Sequence, residues 1–156
     1  MKKNFLIIGF GNIGKRYLQA IQSSNINSKI FIFDLDKNKY NRKDEKNNVL
    51  YLDRLKEIPN RIDICFFSSN SNRRLKTIKS LLSITKPKFI IIEKVLSQSL
   101  KDLEEILKIF KKENLLKRAW VNTHYRTYGI FNKLINKKNK NYISYLSVNG
   151  TNWGLA

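Results

Sequence analysis

The stretch Phe5-Leu6-Ile7-Ile8-Gly9-Phe10-Gly11-Asn12-Ile13-Gly14 joins an apolar run to the spacing G-x-G-x-x-G. The apolar run is typical of a buried β-strand, and residues at helical spacing begin directly after it. In this setting the first glycine permits a tight turn, the second lets a pyrophosphate approach the backbone, and the third allows close packing of helix on strand. N–H groups at the start of the helix would attract the phosphates. The predicted cofactor-binding residues of this stretch are Gly9, Gly11, Asn12, Ile13 and Gly14.

An acidic residue follows at the distance that a dinucleotide fingerprint requires. Asp34 closes the second apolar run, about 20 residues beyond Gly14. A carboxylate there accepts hydrogen bonds from the adenosine ribose and repels a 2′-phosphate, so NAD is the expected cofactor. Lys37 and Lys39 lie close enough to soften this preference, which leaves NADP open, and Asp36, the competing acid, is expected in the following turn. The alternative is a glycine turn and an ordinary turn aspartate with no ligand.

Short apolar runs alternate with helical patterns through most of the chain, which is typical of βαβ units and a parallel sheet. The predicted strands are residues 5–8, 29–33, 49–52, 62–67, 88–92 and 119–121. Apolar residues at helical spacing predict helices after the first, fourth and fifth strands, with Ser99 as the N-cap of the third helix. The expected fold is α/β, a doubly wound parallel sheet of the Rossmann type.

The pattern changes near residue 123, which predicts a domain boundary. Residues 1–122 are expected to form the Rossmann domain. Residues 123–156 contain a helical segment at 128–134 and an alternating strand at 142–148, which predict the connecting helix and first strand of a second α/β domain. An exposed strand at 142–148 would seek a partner edge, so an oligomer or a partner chain is a further expectation.

The chain is strongly basic, with 31 Lys and Arg against 12 Asp and Glu and a net charge of +19. This balance attracts polyanions, so a basic module that binds nucleic acid or another polyanion is an alternative function. The 23 lysines also fit the composition of an AT-rich genome. Because no helix-turn-helix pattern, zinc spacing or aromatic-basic RNA signature is present, specific nucleic-acid binding is not expected. No metal site is expected either.

Other features point to a cytoplasmic protein. No apolar run approaches the length of a membrane span, and the break at Gly9 argues against a signal peptide. Cys65 is the single cysteine and stands in an apolar run, so it is expected in the core and can form no internal disulfide.

Four further phrases resemble landmarks of the glucose-fructose oxidoreductase / inositol dehydrogenase (Gfo/Idh/MocA) family. They are Ile62-Asp63-Ile64-Cys65-Phe66-Phe67-Ser68-Ser69-Asn70, Phe89-Ile90-Ile91-Ile92-Glu93-Lys94, Trp120-Val121-Asn122-Thr123-His124-Tyr125-Arg126 and Asn152-Trp153-Gly154. Enzymes of this family combine an N-terminal Rossmann domain with a C-terminal α/β substrate domain. The resemblance implies hydride transfer between a nicotinamide cofactor and a hydroxyl or carbonyl group of a sugar, polyol or cyclitol.

The resemblance also implies roles for residues at the ends of later strands. Ser68, Ser69 and Asn70 would border the cofactor. Glu93 and Lys94 are also expected to contact the cofactor, since they match the family's Glu-Lys-Pro, with Val95 in place of the proline. The lysine lies near the nicotinamide and substrate in relatives, so Lys94 is the expected catalytic residue, polarising or protonating a substrate oxygen. The alternative for Lys94 is a solvated surface lysine.

Three residues after the sixth strand are candidates for substrate binding by the same resemblance: Asn122, His124 and Arg126. His124 is the single histidine, and the alternative for it is a loop or packing role. Asn122 and Arg126 have a surface-polar alternative.

Length limits the expected activity. In relatives, residues after the Trp-Gly stretch complete the catalytic site, and this chain ends before that segment, so we expect little or no dehydrogenase activity from it alone. The ending fits a product cut at the domain boundary, a degraded reading frame, or a subunit completed by another chain. A nucleotide-sensing domain without catalysis is a third function class.

Overall fold

The computed structural model describes residues 2–40 and 48–123. Their strands form one six-stranded sheet in the order β3-β2-β1-β4-β5-β6, and every pairing in it is parallel. The strands are β1 Lys3–Ile8, β2 Ser28–Phe33, β3 Val49–Leu52, β4 Ile64–Phe67, β5 Phe89–Glu93 and β6 Ala119–Asn122. The helices are α1 Asn12–Ser23, α2 Arg74–Leu82 and α3 Leu100–Lys112. This is the predicted doubly wound Rossmann sheet.

Alternating residues of β1 enter hydrophobic cores on opposite faces of the sheet. Ile7 belongs to the same core as Leu18 of α1. Ile8 belongs to the other core, together with Ile78 of α2 and Ile106 of α3. Because both faces are covered by helices, the strand is apolar at every position from residue 5 to 8, as parallel sheets require.

The register brings three loops to one level at the carboxyl end of the sheet. Ile8 pairs with Phe33 of β2 on one side and with Phe67 of β4 on the other. Chain order reverses at this point, since β2 and β4 flank β1. Open α/β sheets bind ligands in the crevice outside such a reversal. The residues directly after Ile8, Phe33 and Phe67 are therefore the natural walls of a site.

The fourth strand is shorter than predicted. It begins at Ile64 rather than at residue 62. Asp63 explains the difference, because its Oδ2 accepts a hydrogen bond from the backbone N–H of Asn4 at 2.9 Å. The carboxylate of Asp63 thus accepts from a backbone N–H that would otherwise donate to a carbonyl group of the neighbouring strand.

The buried face of α1 differs from the face on which Ile13, Tyr17, Ala20 and Ile21 stand at helical spacing in the sequence. The buried residues are Gly14, Leu18 and Ile21, whereas Ile13 and Ala20 are exposed. Gly14 packs against the carbonyl group of Gly9, so the face of α1 that carries Gly14 and Leu18 points inward. Apolar spacing alone could not reveal this, because glycine carries no hydrophobic signal.

Two local predictions are confirmed. Ser99 is the N-cap of α3, where its Oγ accepts a hydrogen bond from the backbone N–H of Asp102 at 3.1 Å. Cys65 is completely buried, and burial raises the pKa of its thiol. Apart from Thr123, the predicted second domain lies outside the described residues. Among the helices that are described, none has the length and apolar character needed to cross a bilayer.

Candidate dinucleotide-binding site

The glycine turn packs tightly against the loop after β4. Gly9 has φ +93°, a conformation that favours glycine, and a Cβ there would lie 2.6 Å from the Cα of Ser69. A Cβ on Gly14 would overlap the carbonyl oxygen of Gly9. The positive φ of Gly9 fits the tight turn predicted for the first glycine, and the contact at Gly14 fits the close packing of helix on strand predicted for the third.

Gly11 differs from both. A Cβ at this position would meet no atom within 4 Å. Gly11 is also the N-cap residue of α1 and makes no side-chain capping hydrogen bond. Open space thus lies in front of a helix N-terminus whose first N–H groups have no side-chain cap, which is the arrangement that binds phosphate.

A cavity of about 760 Å³ opens beside this turn. Its volume lies within the roughly 300–1,000 Å³ usual for small-molecule sites. Six of the predicted cofactor residues line it, namely Gly9, Gly11, Asp34, Ser68, Ser69 and Asn70. Asn12 and Ile13 are exposed in the first turn of α1, adjacent in the chain to Gly11. The structure therefore brings the ends of β1, β2 and β4 together around one space.

Asp34 is buried at the wall of this cavity, and its carboxylate already has several donors. Oδ2 accepts a hydrogen bond from the backbone N–H of Phe10 at 2.6 Å, and Oδ1 accepts one from that of Asp36 at 2.8 Å. The ammonium of Lys39 lies 3.1 Å from both oxygens. Burial by itself would raise the pKa of Asp34, but these donors together lower it below the ordinary value. The carboxylate is ionised at neutral pH.

The two lysines after Asp34 have different surroundings. Lys39 lines the cavity and forms the ion pair with Asp34. The ammonium of Lys37 donates to the carbonyl of Asp34 at 2.8 Å, to that of Leu52 at 3.0 Å and to the hydroxyl of Tyr40 at 3.1 Å. Lys37 therefore ties β2 to β3. Asp36 lies in the turn, as predicted, and caps the short helical turn Lys37–Lys39.

The loop after β4 supplies the third wall. The hydroxyl of Ser68 donates to the carbonyl of Gly9 at 2.6 Å, which joins this loop to the glycine turn. Within the described residues, the Oγ of Ser69 is buried and has no hydrogen-bond partner. A buried hydroxyl without a partner at a cavity wall fits a polar ligand such as a dinucleotide.

Glu93 and Asn122 meet in a hydrogen-bonded cluster with Tyr17. The amide of Asn122 donates to Glu93 Oε1 at 2.6 Å and to the hydroxyl of Tyr17 at 2.9 Å, and that hydroxyl donates to the same Glu93 oxygen. Burial, followed by the contact with Glu93, raises the pKa of Tyr17. The cluster joins α1, β5 and β6, so Glu93 and Asn122 hold these elements together.

Lys94 directly follows β5, and its side chain is exposed. The peptide bond between Lys94 and Val95 is cis. His124 and Arg126 lie outside the described residues, as does the strand predicted at 142–148. Within residues 2–40 and 48–123, no group of three or more His, Cys, Asp or Glu side chains is placed to hold a metal ion.

Arg74 is the residue that sequence reasoning missed. It is 1% exposed, and its guanidinium donates to the carbonyls of Ser69 and Glu93 and, at 3.1 Å, to that of Val95. Burial lowers the pKa of Arg74, and the charge of Glu93 partly offsets this. In a chain with 31 Lys and Arg, the sequence pair Arg73-Arg74 is typical of a basic surface. One signal was present, because Arg74 shares a helical face with Ile78 and Leu81.

Residues 3–123 match the model of the Gfo/Idh/MocA family, described as an oxidoreductase family with an NAD-binding Rossmann fold. The chain belongs to this family. The match covers most of the sequence and includes every part of the site described above. Residues 3–123 are thus the NAD(P)-binding Rossmann domain of the Gfo/Idh/MocA family, in agreement with the resemblance seen in the sequence. No curated protein sequence matches the chain significantly.

Solved structures with the same fold include several oxidoreductases. The dehydrogenase MviM from Clostridium difficile has 19% identity and a TM-score of 0.67, with 86% of this chain and 44% of that chain covered. The WlbA dehydrogenase from Bordetella pertussis, solved with NADH and UDP-GlcNAcA, has 15% identity and a TM-score of 0.62, covering 80% and 36%. A putative NADPH-dependent oxidoreductase from Desulfitobacterium hafniense has 15% identity and a TM-score of 0.70, covering 85% and 38%. The chain spans less than half the length of these structures.

Proposed function

We propose that this domain holds NAD or NADP in the cavity beside Gly11, as the cofactor-binding part of an oxidoreductase that acts on a hydroxyl or carbonyl group of a sugar derivative. The observation that carries the proposal is the open space at Gly11 in front of the uncapped N-terminus of α1. The family supports the cofactor class. The sugar class is supported by the nucleotide-linked sugar bound to the dehydrogenase from Bordetella pertussis.

The pyrophosphate and the adenosine ribose of the dinucleotide have matching residues in the cavity. Backbone N–H groups at Gly11 and in the first turn of α1 would receive the pyrophosphate. Asp34 would face the adenosine ribose, and Ser69, with its buried hydroxyl, would border the cofactor on the other side. The bound nicotinamide would supply or accept the hydride. The domain itself contributes binding, orientation and the charges around the site.

Lys94 is the proposed catalytic residue. It stands at the carboxyl end of β5, next to β4, whose following loop lines the cavity, and its side chain is exposed. Its ammonium would reach a substrate that another part of the protein holds against the cofactor. In that setting Lys94 would hold or donate a proton at the substrate oxygen. Arg74 would position it, since the guanidinium binds the carbonyls on either side of Lys94, those of Glu93 and Val95.

Replacement of Gly11 tests the proposal directly. Gly11→Val places a side chain in the open space, where its Cβ would lie more than 4 Å from any protein atom that is not a neighbour in the chain or in α1, and where it would obstruct a phosphate. The backbone of Gly11 is extended (φ −77°, ψ −162°) and accepts valine. We expect the affinity for NAD, measured by calorimetric titration, to fall at least tenfold while the melting temperature changes little. Asn27→Val is the control, because it introduces valine at an exposed position at the opposite, amino end of the sheet.

A parallel titration with a short DNA duplex at low and moderate salt separates this proposal from polyanion binding. Dinucleotide binding that persists at moderate salt and is lost in Gly11→Val supports the proposal. If no dinucleotide binds and DNA binds with steep salt dependence, the proposal is wrong and the basic module becomes the better explanation.

A further inference from the structure

We infer that Lys39 determines the cofactor specificity of this site and gives it the capacity to bind the 2′-phosphate of NADP as well as NAD. This inference rests on the proposed function. It concerns the wall of the cavity at the end of β2, where Asp34, Asp36 and Lys39 lie.

The carboxylate of Asp34 has little capacity left for a ribose. A carboxylate offers about four lone-pair positions. The backbone N–H groups of Phe10 and Asp36 take one on each oxygen, and the Lys39 ammonium lies 3.1 Å from both oxygens. A ribose diol needs two acceptor positions, so it can bind Asp34 through both hydroxyls only after Lys39 has moved away.

The side chain of Lys39 is more exposed than that of Asp34, so Lys39 has room to turn toward a ligand while Asp34 stays in place. The side chain of Lys39 is 39% exposed and that of Asp34 is 8% exposed. When Lys39 turns toward a ligand, Asp34 keeps its two backbone hydrogen bonds and remains satisfied. The ammonium then provides three donors and a full positive charge to an anion beside the ribose.

The charges around the cavity favour such an anion. The ammonium of Lys39 lies in the same wall as Asp34, so its positive charge offsets the repulsion between that carboxylate and a 2′-phosphate even after the ion pair has opened. Asp36 opposes an anion, but it is exposed, and its Oδ1 accepts the backbone N–H of Asn38. Two further cations, Arg73 and Lys76, line the same cavity.

Lys37 cannot take this role. Its ammonium already donates to the carbonyls of Asp34 and Leu52 and to the hydroxyl of Tyr40, and it lies 4.5 Å from the ring centre of Phe33. Moving this ammonium would break the hydrogen bonds that join the ends of β2 and β3. Among the lysines within five residues of Asp34, Lys39 is the one that pairs with the carboxylate and lines the cavity.

Calorimetric titration of the chain with NAD and with NADP tests the inference. We expect the unaltered chain to bind the two within about tenfold of each other. In Lys39→Ala the affinity for NADP should fall tenfold or more, as for loss of a charge-assisted hydrogen bond, and the affinity for NAD should stay equal or rise because Asp34 is released. Lys39→Arg keeps the charge and should retain NADP binding.

Lys101→Ala is the matched control, because it removes the same charge from an exposed position of α3 outside the cavity, and it should leave the ratio of the two affinities unchanged. An equal ratio in Lys39→Ala and the unaltered chain would overturn the inference, as would a preference for NAD of more than a hundredfold before any substitution. If neither dinucleotide binds the unaltered chain, the proposed function fails and this inference fails with it. Melting curves of all variants establish that each is folded.

Discussion

The loops on the two sides of β1 are held by buried charges of opposite sign. On the β2 side, the Asp34 carboxylate accepts hydrogen bonds from the backbone N–H groups of Phe10 and Asp36. On the β4 and β5 side, the Arg74 guanidinium donates to the carbonyls of Ser69, Glu93 and Val95. Backbone groups lose their sheet partners where parallel strands end, so each side needs partners for them. One buried charge can serve several such groups.

The difference lies in what each charge can do besides holding the backbone. Asp34 lines the cavity and pairs with the partly exposed Lys39, which in our inference turns toward a bound ligand. Arg74 is almost completely buried and donates to backbone carbonyls, so it fixes the geometry of the loop after β4 and of the segment that contains Lys94. A specificity element and a rigid support thus lie on opposite sides of the same glycine turn.

The largest effect should come from removing Arg74, the buried positive charge. Arg74→Ala leaves three carbonyl groups without their donor, and we expect the free energy of unfolding to fall by roughly 3–5 kcal/mol. Arg74→Lys should recover part of this loss, because one ammonium cannot reach all three carbonyls in the guanidinium geometry. Urea unfolding followed by circular dichroism measures both.

Arg73→Ala is the control for that measurement, since Arg73 is the exposed neighbour with the same side chain. We expect its unfolding free energy to change by less than about 0.5 kcal/mol. Equal effects at the two arginines would show that the hydrogen bonds of Arg74 contribute little to holding the β4 and β5 side.

Substitutions in the glycine turn, where the two sides meet, should have the next largest effect on stability. Gly14→Ala forces a Cβ onto the carbonyl of Gly9, so we expect a loss of about 2–3 kcal/mol in unfolding free energy. Gly11→Ala adds the same methyl group in open space and should cost less than about 0.5 kcal/mol. Thermal unfolding of the two variants tests whether Gly14 has a packing role that Gly11 lacks, and similar melting temperatures would contradict that difference.

Replacing Asp34, the buried negative charge, should have a smaller effect on stability, and that effect should depend on pH. Because the pKa of Asp34 is lowered in the folded chain from its ordinary value of 3.8, the ionised form stabilises the fold. This contribution is complete above about pH 4 and is lost as the pH falls through the lowered folded-state pKa. Asp34→Asn should therefore be about 1–2 kcal/mol less stable at neutral pH, and the gap should narrow below pH 4.

Melting temperatures of both proteins between pH 7 and pH 2 provide the measurement. Taking the difference between them removes the general effect of the high positive charge, which both proteins share. A gap that stays constant over this range would mean that the ionisation of Asp34 does not contribute to stability.

Much of the fold could be predicted because the relevant signals are local. The apolar run before Gly9 and the glycine spacing identified β1, the turn and the start of α1. The third strand was predicted at its observed bounds, Val49–Leu52. The predicted bounds are wrong where a contact distant in sequence decides them. The side chain of Asp63, which accepts a hydrogen bond from Asn4, delays the start of β4 to Ile64.

The site was predictable in part for the same reason. The distance from Gly14 to Asp34 depends on the length of one βαβ unit, so it is readable along the chain. That Asn122 lies against Tyr17 and Glu93 depends on which strands are neighbours in the sheet. Sequence spacing carries no information about such pairs, since they are far apart along the chain.

The sequence by itself determined the parallel α/β sheet, the glycine turn and the acidic residue at the end of β2, because each follows from residue type and local spacing. Only the tertiary structure decided that Arg74 is a buried support rather than a surface charge, and that Lys39 and not Lys37 pairs with Asp34. Both depend on where a long, flexible cation finds its acceptors. Those acceptors come together only after the strands have paired and the helices have packed on them.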